Sequence, residues 1–124
     1  MAVLTGPTSP THDIGGARFT SLATPTRGST DTSVWIVEID PGTPANPHEL
    51  TREEVFVVLS GRANVRLGSQ ELEAAPGDAI VVPPNTPFAL AADGDEPLRA
   101  MCCMPVGGQA RMHDGEPFTP PWAA

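Results

Sequence analysis

The chain has 124 residues, which suits one domain with a sizeable core and is too few for two. Its formal net charge of −8 argues against nucleic acid as a partner, because nucleic-acid binding depends on cationic side chains that neutralise phosphates. The sequence has no basic amphipathic segment to hold a membrane surface, and no apolar run near the ~20 residues of a membrane-spanning helix.

Short strands separated by turns are predicted along most of the chain. Fifteen prolines and twelve glycines without a tripeptide period favour many turns, and no helical period appears. After an irregular arm at residues 1–16, apolar and β-branched segments predict about eight strands. They lie at 17–23, 33–39, 55–59, 62–67, 70–74, 79–82, 87–92 and 98–104.

This pattern predicts an all-β sandwich or barrel of antiparallel strands. Because only the Ser60-Gly61 turn separates the third predicted strand from the fourth, we expect these two to pair as a hairpin. The glutamate-rich fifth strand is expected at a solvated edge.

Three parts of the chain are distinguished in sequence order. Residues 1–30 form an N-terminal arm and the first strand, residues 31–105 form the barrel, and residues 106–124 form a C-terminal tail. The tail carries Phe118 and Trp122, and aromatic side chains need cover from water. We therefore expect the tail to pack on the barrel or on a partner subunit.

Two stretches carry the candidate chemistry, GTPANPHELTREEVFVVLSG at 42–61 and PGDAIVVPPNTPF at 76–88. The first places His48 and Glu54 between two glycines and immediately before an apolar strand. A histidine and a carboxylate that point into a barrel are the beginning of a metal site or of an acid–base pair.

The two stretches resemble the signature motifs of the cupin family, G-x5-H-x-H-x3or4-E-x6-G and G-x5-P-x-G-x2-H-x3-N. The residues that match these motifs are Gly42, His48, Glu54, Gly61, Gly77 and Pro83. The resemblance spans roughly residues 34–105. It implies a small single-domain cupin with a double-stranded β-helix, or jelly-roll barrel, and a homodimer as the expected assembly.

The metal-binding motifs are degenerate. Leu50 stands where the family has its second histidine, and Phe88 stands where it has its third. Asn85 replaces the glycine of the second motif, a mild change because asparagine tolerates left-handed backbone. His48 and Glu54 alone would hold a divalent transition metal only weakly, unless water or another residue completed the coordination shell.

Without a metal, the same replacements predict a small-molecule pocket. Leu50 and Phe88 would line an apolar cavity with His48 and Glu54 at its polar end. Burial beside these side chains would raise the pKa of Glu54, an effect that attraction to a charged His48 would oppose, and the pair could transfer protons. Trp35 and Cys102 are further candidates for the pocket lining, although alternation along a strand lets either Cys102 or Cys103 face inward.

Three functions are therefore open from the sequence. The first is a barrel that binds a small, partly apolar metabolite, with metal-independent isomerisation, epimerisation, elimination or cyclisation by His48 and Glu54. The second is a metal-dependent enzyme of the dioxygenase or isomerase type with a reduced ligand set. The third is a barrel that binds or senses a metabolite without changing it.

The expected compartment is the cytoplasm. The N-terminal ten residues have neither a basic start nor an apolar run of signal-peptide length. Because the two cysteines are adjacent, a disulfide between them could not link distant parts of a secreted domain. We expect them to be reduced thiols.

Overall fold

The computed structural model describes residues 2–124, whose strands form two antiparallel sheets around one shared core. The eleven strands are β1 (His12–Ile14), β2 (Ala17–Ala23), β3 (Thr32–Ile39), β4 (His48–Leu50), β5 (Glu54–Ser60), β6 (Ala63–Leu67), β7 (Gln70–Ala74), β8 (Ala79–Val82), β9 (Phe88–Ala92), β10 (Leu98–Pro105) and β11 (Ala110–Met112). Two short 3-10 turns, at Pro25–Arg27 and Pro121–Ala123, are the helical segments of the described residues. Neither could span a membrane.

The strand order defines a jelly-roll barrel. The larger sheet runs β1-β2-β3-β10-β5-β8, and the smaller sheet runs β11-β4-β9-β6-β7. Burial alternates along the central strands β3 and β10, so that every second side chain faces the core. The all-β prediction is therefore confirmed, and strand β7 lies at a sheet edge with four of its five residues exposed.

The predicted hairpin between residues 55–59 and 62–67 is wrong. Strand β5 pairs with β10 and β8 in one sheet, whereas β6 pairs with β7 and β9 in the other. Gly61 turns the chain from one sheet to the other with φ of 73°, and a Cβ at this position would lie 2.2 Å from the carbonyl oxygen of Pro97. The short connection is therefore a tightly packed corner between sheets, a distinction that loop length alone does not reveal.

Three strands of three residues each lie outside the predicted set. Strand β1 falls in the expected irregular arm and pairs with β2 through a turn at Gly15 and Gly16, both with positive φ. Strands β4 and β11 pair with each other at the edge of the smaller sheet. All three are too short to show a periodicity, and pairing with longer neighbours makes them strands.

The C-terminal tail folds back on the larger sheet. The Ser21 and Ser33 hydroxyl groups donate hydrogen bonds of 2.7 Å to the carbonyl oxygens of Trp122 and Ala123, respectively. The indole ring of Trp122 stacks on the ring of Phe19, with centroids 3.7 Å apart. Since β1 and β2 belong to the same sheet as β3, and β11 belongs to the second sheet, both ends of the chain form part of the barrel.

Candidate functional site

A cavity of about 310 Å³ lies inside the barrel and receives side chains from both sheets. Four polar residues line it: Thr43, Asn46, His48 and Glu54. The other lining residues are apolar: Ile14, Ala17, Phe19, Trp35, Val37, Ile39, Pro44, Leu50, Phe56, Phe88, Leu90, Ala110, Met112, Phe118, Pro120 and Trp122. The volume lies near the lower end of the range of ordinary small-molecule sites.

Glu54 begins strand β5 and presents its side chain to this cavity. It is 5% exposed, whereas the neighbouring Glu53 is exposed to solvent, so strand parity separates the two carboxylates. Desolvation by burial raises the pKa of Glu54 to about 8. Among residues 2–124 no side chain or backbone group forms a hydrogen bond or an ion pair with its carboxyl group, which is therefore mostly uncharged at neutral pH.

His48 begins strand β4 and lies opposite Phe88 in the antiparallel pairing with β9. Its ring packs against the Phe88 ring with centroids 4.3 Å apart. The Nδ1 atom lies 2.9 Å from the carbonyl oxygen of Asn46. Because a carbonyl oxygen can only accept, Nδ1 carries the proton and donates it, and in the neutral ring Nε2 keeps its lone pair.

Leu50, Phe88 and Trp35 all lie in the cavity wall, each with only 2% of its surface exposed. The Phe88 ring also contacts that of Phe56, with centroids 5.9 Å apart, so one phenyl ring joins β4 to β5. Phe56 is absent from the sequence-derived site. Its position two residues after Glu54 on the same strand face could have identified it.

The cysteines take different environments. Cys102 is fully buried in the core, whereas Cys103 is half-buried on the other face of β10. Cys102 is not among the residues that line the cavity, in contrast to its expected place in the pocket wall. Burial raises the pKa of the Cys102 thiol, and the nearby Glu54 raises it further, so this sulfur is a protonated, apolar part of the core.

The mouth of the cavity is formed by the two ends of the chain, which the sequence predicts as an N-terminal arm and a C-terminal tail. Ile14 comes from β1, Met112 from β11 and Phe118 from the C-terminal tail. These apolar side chains are 58%, 42% and 41% exposed. In the sequence, only the aromatic residues of the tail indicate this arrangement.

The donor atoms at the site do not fit the four-ligand metal centre that the family motifs describe. Among residues 2–124 no three histidine, cysteine, aspartate or glutamate side chains are grouped so that they could hold a metal ion. Leu50 and Phe88 present hydrocarbon to the cavity where the motifs have histidine. His48 and Glu54 remain as an incomplete set, and weak metal binding by this pair stays a prediction.

A second, polar cleft lies on the outside of the barrel, with a volume of about 510 Å³. Its charged and titratable lining residues are His48, Glu49, Arg111, His113 and Asp114. Arg111 pairs with Glu49 across β11 and β4 at 2.9 Å, and His113 Nε2 lies 3.1 Å from an Asp114 carboxylate oxygen. His48 therefore lines both the inner cavity and this outer cleft.

Fold and site together define a β-barrel protein with an open, largely apolar cavity, and comparison with known families identifies it further. The cupin-domain family model Cupin_2 matches residues 35–104, more than half of the chain. The chain belongs to the cupin family, as the motif resemblance predicted.

Known relatives share only part of their sequence with this chain. It is 38% identical over 53 residues to the uncharacterized protein MJ1618 of Methanocaldococcus jannaschii, covering 43% of this chain and 42% of the relative. It is 33% identical over 78 residues to auxin-binding protein 5 of Zea mays, covering 61% and 51%. The chain thus spans about half the length of these relatives or less.

Among solved structures, KdgF from Halomonas sp. superposes with a TM-score of 0.65 and 25% identity, over 76% of this chain and 84% of that one. Other solved structures that share the fold include DMSP lyases, the vicilin of Corylus avellana and the polyketide cyclase RemF of Streptomyces resistomycificus, with TM-scores of 0.69, 0.70 and 0.67. Because one fold serves such different roles, the likeness establishes the family and leaves the function to the chemistry of the site.

Proposed function

We propose that the barrel binds a small, partly apolar molecule in the inner cavity and that Glu54 and His48 act on it as acid and base. The reaction class is a metal-independent proton transfer, as in isomerisation, epimerisation, elimination or cyclisation. One observation carries the proposal: a buried carboxyl group without a protein partner lies in a cavity whose walls are otherwise mostly hydrocarbon.

The Glu54 carboxyl group is buried without a protein partner, so only water or a ligand in the cavity can form hydrogen bonds with it. Folded proteins rarely keep such groups without a functional reason, and carboxyl groups with a strongly raised pKa are typical of active sites. A ligand with a hydrogen-bond acceptor would take the place of water at the Glu54 proton.

His48 supplies the complementary group. Its Nδ1 proton is committed to the carbonyl oxygen of Asn46, so Nε2 is available as an acceptor or base. Proton transfer needs one group that donates and one that accepts at the same cavity, and Glu54 and His48 are the titratable side chains among the residues that line it. The Phe88 ring packs on the imidazole and limits its rotation.

The comparisons support small-molecule binding more than any particular reaction. The maize relative is named for binding auxin, a small molecule, although its similarity covers only 61% of this chain. The metal-dependent alternative is less well supported, because the Leu50 and Phe88 side chains offer no donor atom where the motifs have histidine.

A matched pair of bicyclic probes tests the binding part. 2-Tetralone carries a carbonyl oxygen, and tetralin has nearly the same shape without it. We expect the ketone to bind about five- to tenfold more tightly, since one additional hydrogen bond to a buried donor contributes about 1 kcal/mol. Isothermal titration or protein-observed NMR at pH 6.5, where Glu54 is protonated, would give both affinities.

Substitutions identify the residue responsible. Glu54→Gln keeps a donor and should keep the preference for the ketone, whereas Glu54→Leu should abolish it. Glu53→Gln is the matched control, because Glu53 is exposed and immediately precedes Glu54. The proposal fails if neither probe binds, or if the preference survives in Glu54→Leu.

A further inference from the structure

Every phenylalanine and tryptophan of the chain lines the inner cavity. The sequence contains four phenylalanines, two tryptophans and no tyrosine. The cavity lining includes all of their rings: Phe19, Trp35, Phe56, Phe88, Phe118 and Trp122. Elsewhere in residues 2–124 the buried apolar side chains are aliphatic or contain sulfur, as in Val58, Val65, Leu98 and Met104. The barrel is thus divided into an aliphatic core and an aromatic cavity.

The rings reach the cavity from both sheets and from the C-terminal tail. The larger sheet supplies rings from β2, β3 and β5, and the smaller sheet supplies one from β9. In the tail, Phe118, Pro120 and Trp122 line the cavity, so alternate residues of this segment face it. A ligand in the cavity is therefore bordered by aromatic side chains on more than one side.

Contacts among the rings hold them in position. Trp122 stacks on Phe19 with the two ring planes 7° apart, and the Ser21 hydroxyl group donates a hydrogen bond of 2.7 Å to the Trp122 carbonyl oxygen. The rings of Phe56 and Phe88 meet at an angle of 59°. Side chains that are already held in place lose little conformational freedom when a ligand binds.

The use of aromatic rings rather than aliphatic side chains indicates the kind of ligand. Aliphatic walls would suffice for any apolar molecule, because the free energy of apolar burial follows the area removed from water. Aromatic walls add edge-to-face and offset-stacked contacts, which only a second aromatic ring can complete. Rings gathered around one cavity, in a chain whose remaining core has none among residues 2–124, therefore favour an aromatic ligand.

We propose that the ligand of the inner cavity is a planar aromatic compound, which ring contacts from both sheets and from the tail select over a saturated molecule of the same skeleton. This inference rests on the proposed function, because it concerns the same cavity. It adds the class of ligand, and it does not depend on the protonation state of any residue.

Two ketones test the proposal with the full chain. 2-Tetralone and trans-2-decalone share a carbon skeleton and a carbonyl group, and only 2-tetralone contains a benzene ring. Apolar burial alone predicts equal or tighter binding of the decalone, because saturation adds apolar surface. We expect 2-tetralone to bind about fivefold more tightly, the ratio that corresponds to one aromatic pair. Isothermal titration would give both affinities.

Tryptophan fluorescence locates the bound ketone, because both tryptophans of the chain line the cavity. Binding of 2-tetralone should change this emission. Binding without any change would place the ketone elsewhere and overturn the proposal.

Substitutions in the tail assign the preference to the rings. Phe118 is 41% exposed, so Phe118→Leu should fold as wild type does while removing one ring from the mouth. We expect the preference for 2-tetralone to decrease in this variant and to fall below about twofold in Phe118→Leu/Trp122→Leu. Leu72→Ala is the control, because Leu72 is 44% exposed at a sheet edge, does not line the cavity and should leave the preference unchanged.

The outcomes separate this inference from the proposed function. Equal or tighter binding of the decalone by wild type would overturn the aromatic class and leave the binding function intact, whereas absence of binding of both ketones would overturn both. An unchanged preference in the double variant would also overturn the role of the rings. The comparison with wild type needs no variant, so it decides the proposal even if the double variant fails to fold.

Discussion

The carboxyl groups of Asp40 and Glu54 lie in opposite electrostatic environments. On β2 and β3, Arg18 donates hydrogen bonds to both oxygens of Asp40, at 2.8 and 3.0 Å, and also pairs with Glu38. These hydrogen bonds hold the pKa of Asp40 below its ordinary value. In the cavity, Glu54 has no such partner, and burial alone raises its pKa to about 8. The first group is a charge compensated at the surface, whereas the second is an uncompensated group held where a ligand could reach it.

The contrast separates a structural carboxylate from a candidate functional one. A protein that needed Glu54 only for stability would gain by replacing it with a residue of similar size that is apolar or permanently uncharged. An acid in this position lowers the free energy of unfolding, mainly when its carboxyl group is ionised. The comparison therefore predicts opposite responses of the two groups to pH and to substitution.

The largest expected effect concerns pH and Glu54. Since its folded-state pKa is raised from 4.5 to about 8, the folded state binds more protons than the unfolded state between these values, and its contribution to stability is complete below about pH 4.5 and is lost as pH rises through 8. Glu54→Gln cannot ionise and should escape this loss. Between pH 5 and pH 9, urea unfolding should show the free energy of unfolding of the variant rising relative to that of wild type by at most about 4 kcal/mol.

The control for this prediction is Glu53→Gln, because Glu53 is exposed and should leave the difference between the two pH values unchanged. If wild type and Glu54→Gln keep the same difference in free energy of unfolding at both pH values, Glu54 is not desolvated, and the comparison with Asp40 loses its basis.

A double substitution would give Glu54 the partners it lacks. Leu50→His together with Phe88→His restores the histidines of the family motifs, so that four donors would surround a divalent metal ion. We expect the variant to be stabilised by about 3 kcal/mol at a Zn²⁺ concentration one hundred times its dissociation constant, through binding to the folded state. Differential scanning calorimetry with and without Zn²⁺ would measure the change.

Wild-type protein under the same conditions is the reference for the metal experiment. A folded double variant without any thermal shift in Zn²⁺ would mean that positions 50 and 88 do not face His48 and Glu54 in the way the cavity wall implies.

The smallest effect is expected at the surface. Arg18→Gln removes the partner of Asp40 and Glu38, whose side chains are 43% and 38% exposed, so water replaces most of the interaction. The melting temperature should fall only slightly at pH 7 and not at all in 1 M salt. The deficit should also vanish as pH falls through the lowered pKa of folded Asp40, because its carboxyl group then becomes protonated. A large, salt-independent loss would show that this ion pair is more than a surface contact.

Much of the architecture could be predicted from local pattern. The eight predicted strands correspond to β2, β3, β5 to β10, because each is long enough to alternate and is bounded by glycine or proline. The motif spacing also placed His48 and Leu50 before the third predicted strand, and Glu54 directly next to it. The pairing of β5 and β6 could not be predicted in this way, because a two-residue connection permits either a hairpin or a corner between sheets, and contacts of Gly61 with Pro97 decide between them.

The family, the alternating strands and the loss of two histidines from the motifs can be read from residue types and their spacing along the chain. The burial of Cys102 rather than Cys103, the cavity mouth built from both chain ends and the position of His48 between two spaces follow from the tertiary structure. These features depend on which distant segments meet. Packing between the two sheets settles that, and no short-range pattern encodes it.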